Sequence, residues 1–172
     1  MPIYALGDLE PTIDPTAFIH PEAVIIGNVT VGPESSVWPC AVLRGDHGRI
    51  TVGAQTSIQD GAVIHCSSKF DTSIGSRCVV GHSAHIEGST INDDSLIGSH
   101  AVVLHGAIVG PVALVGACAL VGNGKVVPQF ARALGVPAQV TEGVVSLADV
   151  APGVAVYVRN SHWYRHDLRR IE

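Results

Sequence analysis

An aliphatic residue returns every six positions along most of this chain. From Ile97 the beat is nearly clean: Ile97, Val103, Val109, Val115, Val121 and Val127 each open a hexapeptide such as Val109-Gly110-Pro111-Val112-Ala113-Leu114. A small residue usually follows the anchor, and another stands four places after it. This period is the signature of a parallel left-handed β-helix, in which each hexapeptide makes one side of a triangular coil. Anchors three hexapeptides apart then lie on neighbouring rungs, about 4.8 Å apart as in any sheet. Strand alternation points each anchor inward and its two sequence neighbours outward.

The beat runs backward through Ile91, Ile86, Val80, Ile74, Ile64, Ile58 and Val52, and less evenly through Leu43, Val37, Val31, Ile26, Ile19 and Ile13. The step from Ile86 to Ile91 is one residue short. Two insertions, Gly45 to Ile50 and Cys66 to Ser73, read as loops projecting from a coil. The expected fold is mainly β, a left-handed β-helix over residues 1–140 and an extension over 141–172 with a helix packing on the prism. That helix is expected to start at Asn160 or Ser161 and to carry Trp163, Tyr164, Leu168 and Ile171 at helical spacing.

Register converts the sequence into columns. One residue after the anchors Leu43, Ile64, Ile86 and Val103, the outward column reads Arg44, His65, Glu87, Leu104. An imidazole over a carboxylate at rung spacing is a good ligand pair, since both types bind Zn²⁺ near roughly 2 Å; an ordinary surface contact is the alternative. Two residues after Val37, Ile58, Val80 and Ile97 the column reads Pro39, Asp60, His82, Ser99, so His82 lies on a different edge. His82 can meet His65 and Glu87 more readily across a subunit boundary than within one chain. The positions before the anchors, assigned as Ile25, Val42, Val63, His85, Val102 and Leu120, form an outward stripe that is apolar apart from His85. Such a stripe should face another copy of the prism, and threefold packing suits a triangular cross-section. His85 reads as a buried interface histidine or a substitute ligand. His20, His47, His100 and His105 have no equally matched partner and read as turn or rim residues. Cys66 reads as a small, partly buried thiol.

Trp38, Arg44-Gly45-Asp46, Ile58-Gln59-Asp60-Gly61, Val63-Ile64-His65, Val80-Gly81-His82 and the short step Ile86-Glu87-Gly88-Ser89-Thr90 together resemble the γ-class carbonic anhydrase-like family of hexapeptide-repeat proteins, over roughly residues 10–140. The resemblance implies a homotrimer with metal sites between subunits, usually zinc, with iron or cobalt as substitutes. It implies a lyase activity, the reversible hydration of CO₂ to bicarbonate by a metal-bound hydroxide. Position by position, it makes His65 one ligand and His82 another, the latter supplied by the adjacent subunit. It makes Arg44 and Asp46 the pair that ties neighbouring subunits together, and Gln59 the polar catalytic group beside the metal-bound water. The family's third ligand, a histidine, is replaced here by Glu87. An anionic ligand lessens the metal charge felt by that water and should weaken hydration. The chain also lacks an evident glutamate-rich loop near the site, and His47 and His85 are the remaining candidates for exporting a proton.

Two other functions fit the repeat. One is an acyltransferase using coenzyme A, with His105 as its spare histidine; the other is a non-catalytic metal-binding or assembly module. A net charge of −5 with no basic run argues against nucleic acid as a partner. No stretch approaches the roughly 20 apolar residues of a membrane span, and Met1-Pro2-Ile3-Tyr4 lacks the look of a secretory signal, so the expected location is the cytoplasm. The four cysteines form no paired CxxC motif and are expected to be reduced thiols.

Overall fold

Each side of the coil needs only two or three residues of strand, because the inward anchor supplies the burial and the corners do the rest. In the computed structural model, which describes residues 2–172, the chain winds through about seven turns of a left-handed parallel β-solenoid and ends in one helix, Leu147–Asp167. The anchors Leu43, Ile58, Ile64, Ile74, Val80, Ile86, Ile91, Ile97, Val103, Val109 and Val115 are completely or almost completely buried. At about 25 cal/mol per Å² of apolar surface, each contributes on the order of 2 kcal/mol, and the stack forms one continuous core.

Small residues line the inner corners. Ala41, Ala62, Ala84, Ala101, Ala107 and Ala113 are fully buried there. At three polar corners the hydroxyl donates to a backbone carbonyl of the next coil: Ser35 Oγ to Gly53 O at 2.6 Å, Thr56 Oγ1 to Gly75 O at 2.7 Å, Ser95 Oγ to Gly110 O at 2.9 Å. Buried hydroxyls placed this way avoid the cost of an unpaired polar group. Ser89, in the shortened coil, is buried with its hydroxyl unpaired. The chain turns many corners through a left-handed residue, including Val112 at φ 56°. A β-branched side chain resists that conformation by about 1–2 kcal/mol. Val112 adopts it while packing against Val150 and Val154 of the helix, with Val79 and Val145 beside it.

Three faces result. The first stacks Phe18–Ile19, Ser36–Val37, Ser57–Ile58, Val79–Val80, Leu96–Ile97, Leu114–Val115 and Arg132–Leu134, and Gln139–Thr141 folds back antiparallel on the last of these. The second stacks Val63–His65, His85–Glu87, Val102–Val103 and Leu120–Val121 above the start of Val42–Val52. The third stacks Thr72–Ile74, Thr90–Ile91, Ile108–Val109 and Val126–Val127 above the end of that same strand.

The register matches the expected columns from Leu43 onward and, below it, at Val37, Val31, Ile19 and Ile13, and departs at one rung. Ile25 pairs with Leu43 and is fully buried, and Val24 pairs with Val42. The anchor of that rung is therefore Ile25 rather than Ile26, and Val24 takes the place in the outward stripe assigned to Ile25. Val24-Ile25-Ile26 is aliphatic throughout, so the pattern cannot phase it. The insertion at Gly45 to Ile50 is likewise no detached loop. It belongs to the strand Val42–Val52, where a register shift opposite Gly27 to Val29 absorbs the extra residues. Residues 66–71 do leave the coil as a loop, closed by mutual backbone hydrogen bonds between Ser67 and Phe70.

The helix starts earlier than expected. Ser146 is its N-cap, and both its N–H and its hydroxyl donate to Asp149 Oδ2 at 2.8 Å. Asn160 and Ser161 lie inside it. Pro152 and Gly153 hide this start from a propensity reading, since neither favours a helix interior. The earlier start changes which face packs. Val150, Val154 and Ser161 are buried, and Tyr157 and Tyr164 meet Trp38 at ring separations of 5.8 and 5.0 Å. Trp163, Leu168 and Ile171 are exposed. The helix touches the first face and leaves the outward stripe of the second uncovered.

Candidate functional site

His65 and Glu87 are register partners on adjacent rungs of the second face, and Arg44 pairs with His65 one rung below. The stacking brings His65 Nδ1 to 3.0 Å from Glu87 Oε1. His65 Nε2 lies 3.0 Å from Asp46 Oδ1, and the other oxygen of Asp46 is bound by the Arg44 guanidinium. His65 thus stands between two carboxylates. Carboxylates only accept, so both contacts are hydrogen bonds only when both ring nitrogens carry protons; a neutral ring leaves one lone pair free.

The carboxylates respond to this setting. Burial pushes the Asp46 carboxyl up, but the hydrogen bond from His65 and the charge of Arg44 outweigh it and hold the group below its ordinary value. Burial also pushes Glu87 up, and it too ends below its ordinary value because His65, His85 and His105 surround it. His85 Nε2 is 3.3 Å from Glu87 Oε2, and His105 Nε2 is 3.5 Å from Glu87 Oε1.

His105 is the residue that the columns do not assign. The five-residue step after Ile86 removes one corner position from that coil. Gly106 N–H donates directly to Gly88 O at 2.7 Å, so His105 of the coil above has no counterpart below it. Its ring descends into the gap. A Cβ on Gly88 would sit 2.7 Å from His105 Cδ2 and 2.8 Å from Phe70 Cβ, and the Phe70 ring packs against the imidazole with centroids 5.8 Å apart. The missing residue was visible in the sequence; the ring that fills its place was not.

His82 is elsewhere, at the corner that leads from the first face into the second. It is half exposed, and its Nδ1 lies 2.9 Å from Asp60 Oδ2, which leaves Nε2 without a partner among the described residues. Gln59, next to Asp60, is buried, with its side chain close to Tyr157 of the helix. Burial and the nearby Asp60 charge raise the Tyr157 hydroxyl above its ordinary value. The two sulfurs inside the prism carry no reactive signature. Burial raises the Cys66 thiol, and it pushes Cys78 up to about 12, so both stay protonated.

Among the described residues, no three His, Cys, Asp or Glu side chains of one chain are arranged to hold a metal ion. His65 and Glu87 are together, and His82 is on another edge. The donor chemistry nonetheless fits a divalent metal shared between chains. Metal-bound histidines commonly give their second ring N–H to a carboxylate. His65 has Asp46 for that purpose and His82 has Asp60; His82 keeps Nε2 for a ligand, and His65 Nδ1 and Glu87 Oε1, 3.0 Å apart, would bind a metal in place of their mutual contact.

No family model matches the chain. The carnitine operon protein CaiE of Escherichia coli O157:H7 is 43% identical over 104 residues, which are 60% of this chain and 53% of that protein. The chain thus spans about half the length of the curated relatives it matches. Among solved structures, a Bacillus cereus protein with a provisional acetyltransferase assignment superposes with a TM-score of 0.92 at 33% identity, covering 95% of this chain and 96% of that one. A hexapeptide transferase family protein from Anaplasma phagocytophilum gives 0.90 at 30% identity, covering 95% and 98%. No helix among the described residues is long and apolar enough to cross a membrane.

Proposed function

Because the chain belongs to the γ-class carbonic anhydrase-like family of hexapeptide-repeat proteins, we propose that it is a metal-dependent lyase of the cytoplasm that hydrates CO₂ reversibly at the interfaces of a homotrimer. The observation that carries this reading is the division of labour on its histidines. His82 has one ring nitrogen against Asp60 and the other open, while His65 has Nε2 against Asp46 and Nδ1 facing Glu87 Oε1, where a metal would replace their mutual contact. The partner's His82 would complete the set. A divalent cation held there, zinc most naturally with iron or cobalt as substitutes, supplies the Lewis acidity that makes water a nucleophile at neutral pH.

The chain's own residues orient and bind. Asp46 and Asp60 fix the rings of His65 and His82, and Arg44 holds Asp46 in place. Gln59, one residue from Asp60 and close to Tyr157, would orient CO₂ and bicarbonate. The charge of Glu87 makes the site less electrophilic than one built of three histidines, so turnover should be weak. The test is metal analysis of protein purified without chelator, alongside stopped-flow CO₂ hydration. Stoichiometric metal in the wild type, lost in His82→Ala, is the expected result; wild-type protein free of metal ends the assignment.

A second reading, an acyltransferase using coenzyme A, draws on the Bacillus cereus and Anaplasma relatives and on His105, whose ring is oriented by Glu87 as a general base would be. Thermal stabilisation by acetyl coenzyme A but not by metal would select it. Bound metal without hydration at any pH would select a binding or assembly module.

A further inference from the structure

We propose that His85 and His105 are positioning residues that clamp the Glu87 carboxylate and present one of its oxygens as a metal ligand, so that the replacement of a histidine by Glu87, the shortened coil and His105 form one device. The inference rests on the metal-dependent reading above. A carboxylate on a flexible stem is a poorer-defined ligand than an imidazole, because it can bind through either oxygen or through both. Here the two oxygens are in different company. Oε2 faces His85 Nε2 at 3.3 Å, and Oε1 faces His65 Nδ1 at 3.0 Å with His105 Nε2 at 3.5 Å. Holding Oε2 on His85 leaves Oε1 as the single donor on the side of His65.

His105 completes the clamp from the coil above, and the backbone is shaped for it. The Ile86 to Ile91 step lacks the residue that would underlie His105, and Gly88, at φ 58°, keeps the space open. A side chain at that position would collide with the imidazole. Phe70, from the loop at residues 66–71, packs against the ring with centroids 5.8 Å apart. A six-residue step would fill the gap and a side chain at position 88 would close it, so the short step serves the histidine.

The clamp is tested on the full chain with Zn²⁺ affinity measured by chelator competition and with the visible spectrum of the Co²⁺ form, which reports ligand geometry independently of turnover. His85→Ala and His105→Ala are each expected to weaken Zn²⁺ binding by about 10-fold or more and to alter the Co²⁺ spectrum, with circular dichroism unchanged. His105→Gln, which restores a donor near the position of Nε2, is expected to recover the wild-type spectrum, whereas His105→Leu of similar bulk is not. This pair carries the test if the alanine variant fails to fold. Wild-type affinity and an unaltered spectrum in His85→Ala and His105→Ala would overturn the clamp while leaving the metal-dependent reading intact. A wild-type protein that binds no metal would overturn both.

Discussion

Glu87 stands one rung above His65, paired with it through the backbone and 3.0 Å from it between Oε1 and Nδ1. Three imidazoles share this one carboxylate. Removing its charge should therefore be felt beyond any ligand role. Glu87→Gln keeps the shape but replaces charge-assisted hydrogen bonds with neutral ones, so stability should fall by about 1–2 kcal/mol. Urea unfolding of metal-free protein at fixed concentration measures this, and an unchanged midpoint would show that the three contacts carry no net energy.

Asp60 provides a second test, on the other edge. Its carboxylate fixes His82 through Nδ1 and touches neither His65 nor Glu87. Asp60→Asn should lower metal affinity by about 10-fold while leaving the fold and the His65–Glu87 contact in place. Chelator competition reads the affinity. Full-affinity binding by the variant would mean that His82 needs no orienting partner, or that it is no ligand.

Gly88→Ala should be among the more damaging small changes in the chain. The added methyl would meet His105 Cδ2 at 2.7 Å and Phe70 Cβ at 2.8 Å, on a backbone at φ 58°. Strain of about 1–3 kcal/mol follows from the backbone conformation alone, before either side chain moves. Urea unfolding should show the loss, and the aromatic and imidazole proton resonances of Phe70 and His105 should shift together. A wild-type midpoint would show that the corner can relax.

The regular coils were legible because one buried aliphatic per strand leaves little freedom. Once Ile64 and Ile86 are inside, His65 and Glu87 must be outside and stacked. The rung at Val24-Ile25-Ile26 was not legible in the same way, since three consecutive aliphatics offer no contrast and backbone pairing selects Ile25. His105 escaped because its contact spans an irregular corner, where column arithmetic fails and the ring's reach decides. Tyr157 escaped because its helix begins through Pro152 and Gly153, and the packing against the prism outweighs their poor propensity.

The helix start makes a prediction about acid. The Asp149 carboxyl sits below the ordinary 3.8 because the backbone N–H and then the hydroxyl of Ser146 donate to it. A carboxyl lowered in the folded state stabilises fully above its unfolded value and loses that contribution as pH falls through the folded one. The first turn, Leu147 to Val150, should therefore fray below about pH 3.8, seen as faster amide exchange there before the coils respond. Asp149→Asn should remove the transition. Identical acid behaviour in both proteins would rule out the cap as its source.

The outward stripe makes the last prediction. Val24, Val42, Val63, His85, Val102 and Leu120 line one side of the second face; Val63 is 39% exposed, and the helix packs elsewhere. A charge introduced in the middle of this stripe costs little in a free chain but several kcal/mol if a second copy covers it. Val63→Arg should thus leave the far-ultraviolet spectrum intact and shift light scattering from three copies of the 17.9 kDa chain toward one. Dissociation would also separate His82 from the His65–Glu87 pair of its neighbour, so metal content should fall with the loss of trimer although no proposed ligand has changed. A wild-type protein that scatters as a monomer would remove both the interface and the shared site.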